Sequence, residues 1–181
     1  MQRIRTLTLT LLFFLASMLV HCKKENFYTS IIENEEPPAI DITIKKFTAE
    51  GYKKANLKWN LEAETSYLSY ATSNIKMKII RLVYFENPKD TSNLSSDEGN
   101  LNRTTNDMIL EKNVVVKSSN GRELYTEKLL WDSKKEELST DQPVKILYPN
   151  GEVIRGSGMR SDGTLTKIVI YKPVGVHSQR E

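Results

Sequence analysis

The sequence has almost none of the residues on which enzymes and metal centres depend. It contains one cysteine, Cys22, and two histidines, His21 and His177. A single cysteine excludes an intrachain disulfide, and two histidines this far apart in sequence indicate neither a general base nor a metal site. No nucleophile is paired with a base in the sequence. We therefore expect a protein that is not an enzyme, with no catalytic residue, no metal and no cofactor.

An excess of charge of one sign is also missing. The chain has 26 Lys and Arg against 23 Asp and Glu, with both signs interspersed. Because a nucleic-acid binder usually concentrates its basic residues on one face, nucleic acid is excluded as a partner. The segment Gly156-Ser157-Gly158 lacks the lysine and the helix of a phosphate-binding loop, so it indicates a strand bend or a close backbone approach.

The one long apolar run is too short for an ordinary transmembrane helix. Leu7 to Val20 follows Arg3 and Arg5, and it falls short of the roughly 20 apolar residues that span a bilayer. It fits a signal peptide better. Cys22 follows at once, after Leu19-Val20-His21, and this order resembles a bacterial lipobox, although His21 differs from the small residue usual there. We expect lipid attachment at Cys22; the alternative is a short uncleaved membrane helix.

The rest of the chain divides into a tether and one domain. Residues 1–21 are the predicted lipoprotein signal peptide, and residues 22–39, with Pro37-Pro38 near their end, are the predicted tether. Proline cannot lie inside a helix or a central strand, so regular structure should begin after it. We expect the domain over residues 40–176 and a short tail over residues 177–181. A chain of this length suits one domain with its own apolar core.

Alternation with a period of two dominates the predicted domain. Leu57, Trp59, Leu61 and Ala63 alternate with charged or polar residues, which is typical of a strand with one wet and one dry face. Ile75, Met77 and Ile79 continue the pattern. The apolar phase then moves to Ile80, Leu82 and Tyr84, and such a change of phase predicts a β-bulge or a sharp bend.

Later segments repeat this pattern at short spacing. The predicted strands are Met108–Lys117, Glu123–Asp132, Glu137–Thr140, Val144–Tyr148, Val153–Met159 and Thr166–Tyr171. Asn120-Gly121, Asn150-Gly151 and Asp162-Gly163 are turn signals between them. The Ser-, Asn- and Asp-rich stretch Pro88–Thr105 predicts a mobile surface loop. The expected fold is all-β, an antiparallel sandwich or barrel-like roll.

Ordered short motifs then suggest a family. The first are a Trp-x-Leu-x-Ala strand at Trp59 within Ile44–Tyr67, and the strand Ile75–Phe85, which ends in Val-Tyr-Phe. The longest stretch runs from Asn113 to Gly175 and contains Leu124-Tyr125-Thr126, Leu130-Trp131-Asp132, Leu138-Ser139-Thr140, Pro143-Val144 and Gly156-Ser157-Gly158-Met159 followed by Asp162. Together they resemble the LptC family of lipopolysaccharide export proteins over most of the chain after the tether.

The resemblance implies an open antiparallel β-jellyroll that carries lipopolysaccharide without catalysis. Such a protein accepts the lipid from an inner-membrane ABC transporter of the LptB2FG type and passes it to an LptA-like periplasmic bridge. It implies a place at the periplasmic face of the inner membrane, anchored through the N-terminal lipid or a short membrane helix. The sequence by itself leaves open which membrane holds the anchor.

The apolar phases of the predicted strands give the candidate lipopolysaccharide-binding face. Its residues are Trp59, Leu61, Ile79, Val114, Val116, Leu124, Val144, Ile146 and Ile168. Alternation marks only the buried face, so each of these residues fits a dry core as well as a lipid groove. The candidate strand edges that would pair with partner proteins are Ile40–Phe47 and Thr166–Pro173, with Ile42, Ile44, Ile168, Ile170 and Tyr171.

Two other functions fit the same residues. One is a lipoprotein of the same fold that binds another lipid or acts as a structural spacer. The other is an LptA-like bridge, which the anchor disfavours because such bridges are usually soluble. Genome context beside genes for an ABC transporter and an LptA-like protein would separate the first of these from the carrier function.

Overall fold

The computed structural model describes residues 41–69 and 71–178, and in this part of the chain every regular element is a β-strand. Nine strands follow one another as hairpins. They are β1 (Asp41–Lys53), β2 (Asn56–Ser69), β3 (Asn74–Phe85), β4 (Thr91–Asn102), β5 (Met108–Ser118), β6 (Glu123–Asp132), β7 (Glu137–Leu147), β8 (Glu152–Asp162) and β9 (Ile168–Ser178).

The strands form one open antiparallel sheet in sequence order, from β1 to β9. Each strand pairs with the one before it and the one after it, so β1 and β9 are the two edges of the sheet. Asn-Gly turns make two of the hairpins: Gly121 and Gly151 have φ of 81° and 82°, as the turn signals predict. At the predicted Asp162-Gly163 turn the left-handed residue is instead Leu165, with φ of 55°.

A row of irregular positions crosses all nine strands near their midpoints. Pairing is interrupted there between every two neighbours, and the row passes through Lys46, Glu64, Ile79, Asp97, Lys112–Asn113, Glu127, Asp141–Gln142, Gly158 and Tyr171. Lys46, Ile79, Lys112, Asn113 and Gly158 have positive φ. We call this line the corner row, because bulged strands bend sharply.

The corner row divides the sheet into two layers that face each other. On β1, the first layer contains the half that ends at Lys53 and the second contains the half that begins at Asp41. The halves of the other strands that lie on the same side of the corner row belong to the same layer. Lys53 of β1 lies 3.0 Å from Glu136 in the β6–β7 turn, although five strand spacings of a flat sheet would separate them by about 24 Å. The sheet is therefore folded along the corner row and covers its own apolar face.

Three sequence expectations about strands are corrected. The predicted loop Pro88–Thr105 contains β4, in which buried Ser92, Leu94, Ser96, Gly99 and Leu101 are separated by exposed or half-buried residues. The predicted strands Glu137–Thr140 and Val144–Tyr148 are one strand, β7, with Pro143 beside its register break, where proline is tolerated. The last strand begins at Ile168, so Thr166 and Lys167 belong to the turn, and it continues to Ser178.

Gly156 and Gly158 let β9 approach β8 closely at the corner row. A Cβ on Gly156 would lie 2.4 Å from Ile170 Cγ2, and Gly158 has φ of 74°. Both observations confirm that the Gly156-Ser157-Gly158 segment serves a bend and a close strand contact.

Candidate functional site: the buried face and its seam

One apolar cluster fills the space between the two layers. It is formed by residues from every strand from β2 to β8 together with Leu165 in the β8–β9 turn: Trp59, Leu61, Ala63, Ile75, Met77, Ile80, Leu82, Tyr84, Leu94, Leu101, Met108, Leu110, Val114, Val116, Leu124, Leu129, Trp131, Leu138, Val144, Ile146, Met159 and Leu165. The cluster is continuous across the sheet, and it is the only extended apolar surface among the described side chains that faces away from water.

Seven of the nine predicted inward residues lie in this cluster. They are Trp59, Leu61, Val114, Val116, Leu124, Val144 and Ile146. Ile168 is half-buried and packs against the cluster. The prediction for Ile79 is wrong, since its side chain is 47% exposed. Its φ of 53° at the corner row turns it outward and moves the inward phase to Ile80, which confirms the predicted change of phase at this point.

The buried face also carries polar atoms without partners. Ser66 and Ser92 are fully buried, and their hydroxyls, like that of Ser161, have no hydrogen-bond partner among the described atoms. The indole Nε1 of Trp131 is in the same state. Such groups are rare in packed interiors because each one loses its hydration without replacement. These atoms are therefore polar positions on the buried face that are available to a ligand or to water.

Opposite the corner row, the two layers meet along a line of side-chain contacts that we call the seam. Its first part is an ion-pair cluster at Glu136. Lys53 Nζ lies 3.0 Å from one carboxylate oxygen and Lys58 Nζ lies 3.5 Å from the other. Burial would raise the pKa of Glu136, but the hydrogen bond from Lys53 and the charge of Lys58 outweigh it and lower the pKa from 4.5.

Aromatic residues form the second part of the seam. The ring of Tyr84 on β3 lies 4.9 Å, centroid to centroid, from that of Trp131 on β6. Gly163 leaves room for the Tyr84 ring, since a Cβ there would lie 2.4 Å from it. The Tyr84 hydroxyl donates to Glu86 at 2.6 Å. Burial and this hydrogen bond raise the pKa of Tyr84, so the phenol remains a donor at neutral pH.

The third part of the seam joins the β5–β6 turn to the β8–β9 turn. Ser118 Oγ and Asn120 Nδ2 donate to the carbonyl of Thr164 at 2.6 and 2.9 Å. Arg122 Nη1 donates to the carbonyls of Leu165 and Thr166 at 2.6 and 2.8 Å. These bonds hold the β8–β9 turn over the end of the apolar cluster, with Leu165 fully buried beneath it.

The space between the layers is filled. Its apolar cavity among Trp59, Tyr84, Trp131 and Gly163 measures only about 20 Å³. This volume is close to that of one water molecule and far below that of an acyl chain. A large apolar ligand can therefore enter the buried face only if the layers separate.

The predicted partner-binding residues lie on the edge strands. Ile42 and Ile44 are half-buried on β1, and Ile168 and Ile170 are half-buried on β9, where Tyr171 is 54% exposed. Val169 and Val174 also expose more than half of their side chains. Partner binding at either edge stays a prediction.

Several predicted features lie outside the described residues. Cys22 and His21 lie outside the described residues, as do the signal peptide and the tether. In the part of the chain that is described, no group of three or more His, Cys, Asp or Glu residues could hold a metal ion. No helix there is long and apolar enough to cross a membrane.

The seam residues were not predicted from the sequence. Glu136, Arg122 and Thr164 belong to short polar turns, and their contacts join turns that are distant in sequence. Asn120-Gly121 indicates a turn but not its partner. Only the folded arrangement of the sheet brings these residues together.

An open antiparallel sheet, folded over one apolar face and free at both edges, places the domain in the open β-jellyroll class. A family model described as lipopolysaccharide-assembly, LptC-related, matches residues 9–178. The chain therefore belongs to the LptC-related family, as its motifs predict. No curated protein matches it.

Membership of this family gives the protein a role in lipopolysaccharide transport and assembly. The family consists of periplasmic proteins associated with the inner membrane, and its members are non-enzymatic transport components.

Proposed function

We propose that this protein carries lipopolysaccharide between its two sheet layers, accepting it from an LptB2FG-type ABC transporter and passing it to an LptA-like bridge. The observation that carries the proposal is the continuous apolar face from β2 to β8, in a chain of the LptC-related family. Burying an acyl chain of a dozen carbons is worth roughly 10 kcal/mol, so such a lipid does not cross water unaided.

The lipid enters when the two layers separate along the seam. The corner row cannot separate, because the main chain of every strand runs through it. The seam depends on the Glu136 ion pairs, one aromatic contact and the bonds between two turns. Acyl chains that enter there replace contacts of the apolar cluster, and the unpartnered hydroxyls and indole of the buried face can bond polar groups of the lipid.

The two free sheet edges support a direction of transfer. An edge strand can pair with a strand of another domain through main-chain hydrogen bonds, which would continue the apolar face into that domain. We assign β1, which follows the tether, to the transporter and β9 to the LptA-like bridge. The tether over residues 22–39 and a lipid on Cys22 would hold the domain at the inner membrane.

A photo-crosslinking amino acid tests the carrier function. Placed at Leu61 or Val144, both buried, it should capture lipopolysaccharide in cells. Placed at the adjacent exposed residues Glu62 or Lys145, it should not. Equal capture at the inward and outward positions would contradict an internal path. Capture of another lipid at the inward positions would favour the alternative lipoprotein that binds that lipid.

Proline substitutions test the β9 edge. Of two consecutive residues on an edge strand, one directs its N–H to the neighbouring strand and the other to solvent. Comparing Val169→Pro with Ile170→Pro, we expect one variant to lose stability and the other to stay folded but fail to bind the LptA-like bridge, since proline removes the N–H donor. Full binding by the stable variant would exclude β9 as the contact.

A further inference from the structure

The outer surface of β1, β2 and β3 carries a basic patch in the second layer. It consists of the exposed lysines Lys45, Lys76 and Lys78 with Tyr67 between them. Pairing fixes this arrangement: Lys45 lies opposite Thr65, which lies opposite Lys78, and Tyr67 lies opposite Lys76. The four side chains therefore share one face of three neighbouring strands.

The positive charge of this patch is not neutralised by the described side chains around it. Lys45 Nζ donates to Thr65 Oγ1 at 3.0 Å, and Lys78 Nζ lies 6.0 Å from the centre of the Tyr67 ring. None of the patch lysines forms an ion pair with a described carboxylate. Glu98 lies opposite Lys78 on β4, but Lys112 binds its carboxylate at 2.8 Å.

Exposed apolar groups lie in and beside the patch. Tyr67 is 40% exposed, and Ile79, next to Lys78, is 47% exposed. A β-branched residue with φ of 53° is a rare and strained placement, yet here it directs an apolar side chain into solvent. Lysines together with a tyrosine and an aliphatic side chain are the combination that binds the interface of an anionic bilayer.

The chain enters the domain beside this patch. β1 begins at Asp41, which pairs with Ser69 two residues beyond Tyr67. Forty residues precede it, with the apolar run Leu7–Val20 and the two basic residues before it. Residues 22–39, the predicted tether, reach at most about 65 Å when fully extended, so an anchored N-terminus keeps this side of the domain within that distance of the bilayer.

We propose that the basic patch docks the domain on the anionic lipid surface of the membrane to which its N-terminus is attached. The inference rests on the proposed membrane anchoring. Docking orients β1 toward the membrane and leaves β9 directed away from it, toward a periplasmic partner. The patch lies on the outer surface, separate from the buried face that takes the lipid cargo.

Amine footprinting of the full chain on vesicles tests the proposal. The chain is reconstituted on neutral phosphatidylcholine vesicles and on vesicles with about one third phosphatidylglycerol, which bears the surface charge that attracts lysine. Mass spectrometry then follows the modification rate of each lysine. We expect Lys45, Lys76 and Lys78 to react several-fold more slowly on the anionic vesicles, and Lys54, Lys89 and Lys134 to react equally on both.

Vesicle flotation distinguishes a protein whose N-terminus is not anchored in the membrane from one whose basic patch does not bind anionic lipid. Flotation with both vesicle types but no protection of the patch lysines would overturn the docking proposal and leave the anchor intact. Flotation with anionic vesicles alone would contradict the anchor but support the patch. Protection by added lipopolysaccharide on neutral vesicles, without phosphatidylglycerol, would assign the patch to the cargo and overturn membrane docking.

Matched charge variants complete the test. Lys45→Gln, Lys76→Gln and Lys78→Gln together should weaken docking on the order of fivefold for each lysine removed. The control with Lys54→Gln, Lys89→Gln and Lys134→Gln has the same net charge and should dock as the unchanged protein does. Raising the salt to about 1 M, where the Debye length is near 3 Å, should abolish the difference between the two variants. Equal loss in both variants would contradict a localised patch.

Discussion

The two layers of the sheet are joined in different ways at the corner row and at the seam. At the corner row all nine strands continue from one layer into the other, and the bend is fixed by bulges and positive φ angles. At the seam the layers meet only through side chains and two turns, and the Glu136 ion pairs are partly exposed to water. The comparison teaches that the layers are joined by continuous main chain on one side and only by side-chain and turn contacts on the other.

The largest expected effect tests the corner row. Ile80 is 1% exposed and Ile79 is 47% exposed. Ile80→Ala should lower the free energy of unfolding by about 2–5 kcal/mol, because it leaves a cavity in the apolar cluster. Ile79→Ala should change it by less than about 1 kcal/mol, since it removes an exposed side chain. Urea unfolding of the two variants measures the difference, and equal losses would contradict the phase change at this corner.

Sequence alternation predicted the fold class and most of the buried face for a simple reason. On a strand with one buried face, the position of a residue in the alternating pattern determines whether its side chain points inward or outward. Leu61, Val116 and Leu124, each fully buried, follow that rule. Ile79 breaks it because its backbone, with φ of 53°, shifts the phase by one residue. The sequence located the shift only to within that residue.

The rest of the fold could not be predicted from the sequence, because pairing with neighbouring strands determines it and the intrinsic strand propensity of each segment does not. β4 has few strong strand-forming residues, and its buried positions include Ser92, Ser96 and Gly99. It is a strand because β3 and β5 pair with it on both sides. The seam has no local signal at all, since Glu136 and Lys53 meet only after the sheet has folded.

The next effect concerns the aromatic part of the seam. Gly163→Ala places a Cβ about where the Tyr84 ring lies, so the ring must move away from Trp131, at a cost of about 1–3 kcal/mol. We expect lower stability and greater binding of a dye that reports exposed apolar surface. Gly175→Ala is the control, because no atom lies within 4 Å of its added Cβ. Equal dye binding by both variants would show that the aromatic contact does not hold the layers together.

A smaller effect distinguishes the hydroxyls of the seam from those of the buried face. Ser118→Ala removes the bond from Ser118 Oγ to Thr164 and should cost about 1 kcal/mol. Ser92→Ala removes a buried hydroxyl without a partner, so it should be neutral or stabilising by a similar amount. Thermal unfolding compares the two variants. If Ser92→Ala also weakens capture of lipopolysaccharide, its hydroxyl bonds the lipid.

The smallest effect is the pH dependence of the Glu136 ion pairs. Lys53 and Lys58 hold the pKa of Glu136 below 4.5. A carboxyl whose pKa is lower in the folded state stabilises that state above its unfolded pKa, and the contribution is lost as the pH falls through the folded value. Glu136→Gln should therefore be less stable than the unchanged protein at pH 7, by under about 1 kcal/mol for a partly exposed pair. The difference should shrink only below pH 4.5.

Lipid loading gives this last prediction its functional meaning. If the seam is the entrance, then Glu136→Gln, which weakens it without changing the apolar cluster, should load lipopolysaccharide faster at pH 7 although it is less stable. Cysteines at residues 53 and 136, joined across the seam by a thiol-reactive cross-linker that contains a cleavable disulfide, should block loading, and reduction of the linker should restore it. Slower loading by Glu136→Gln, or unchanged loading by the cross-linked protein, would place the entrance elsewhere, because only a line along which the layers separate can have opposite effects on stability and on uptake.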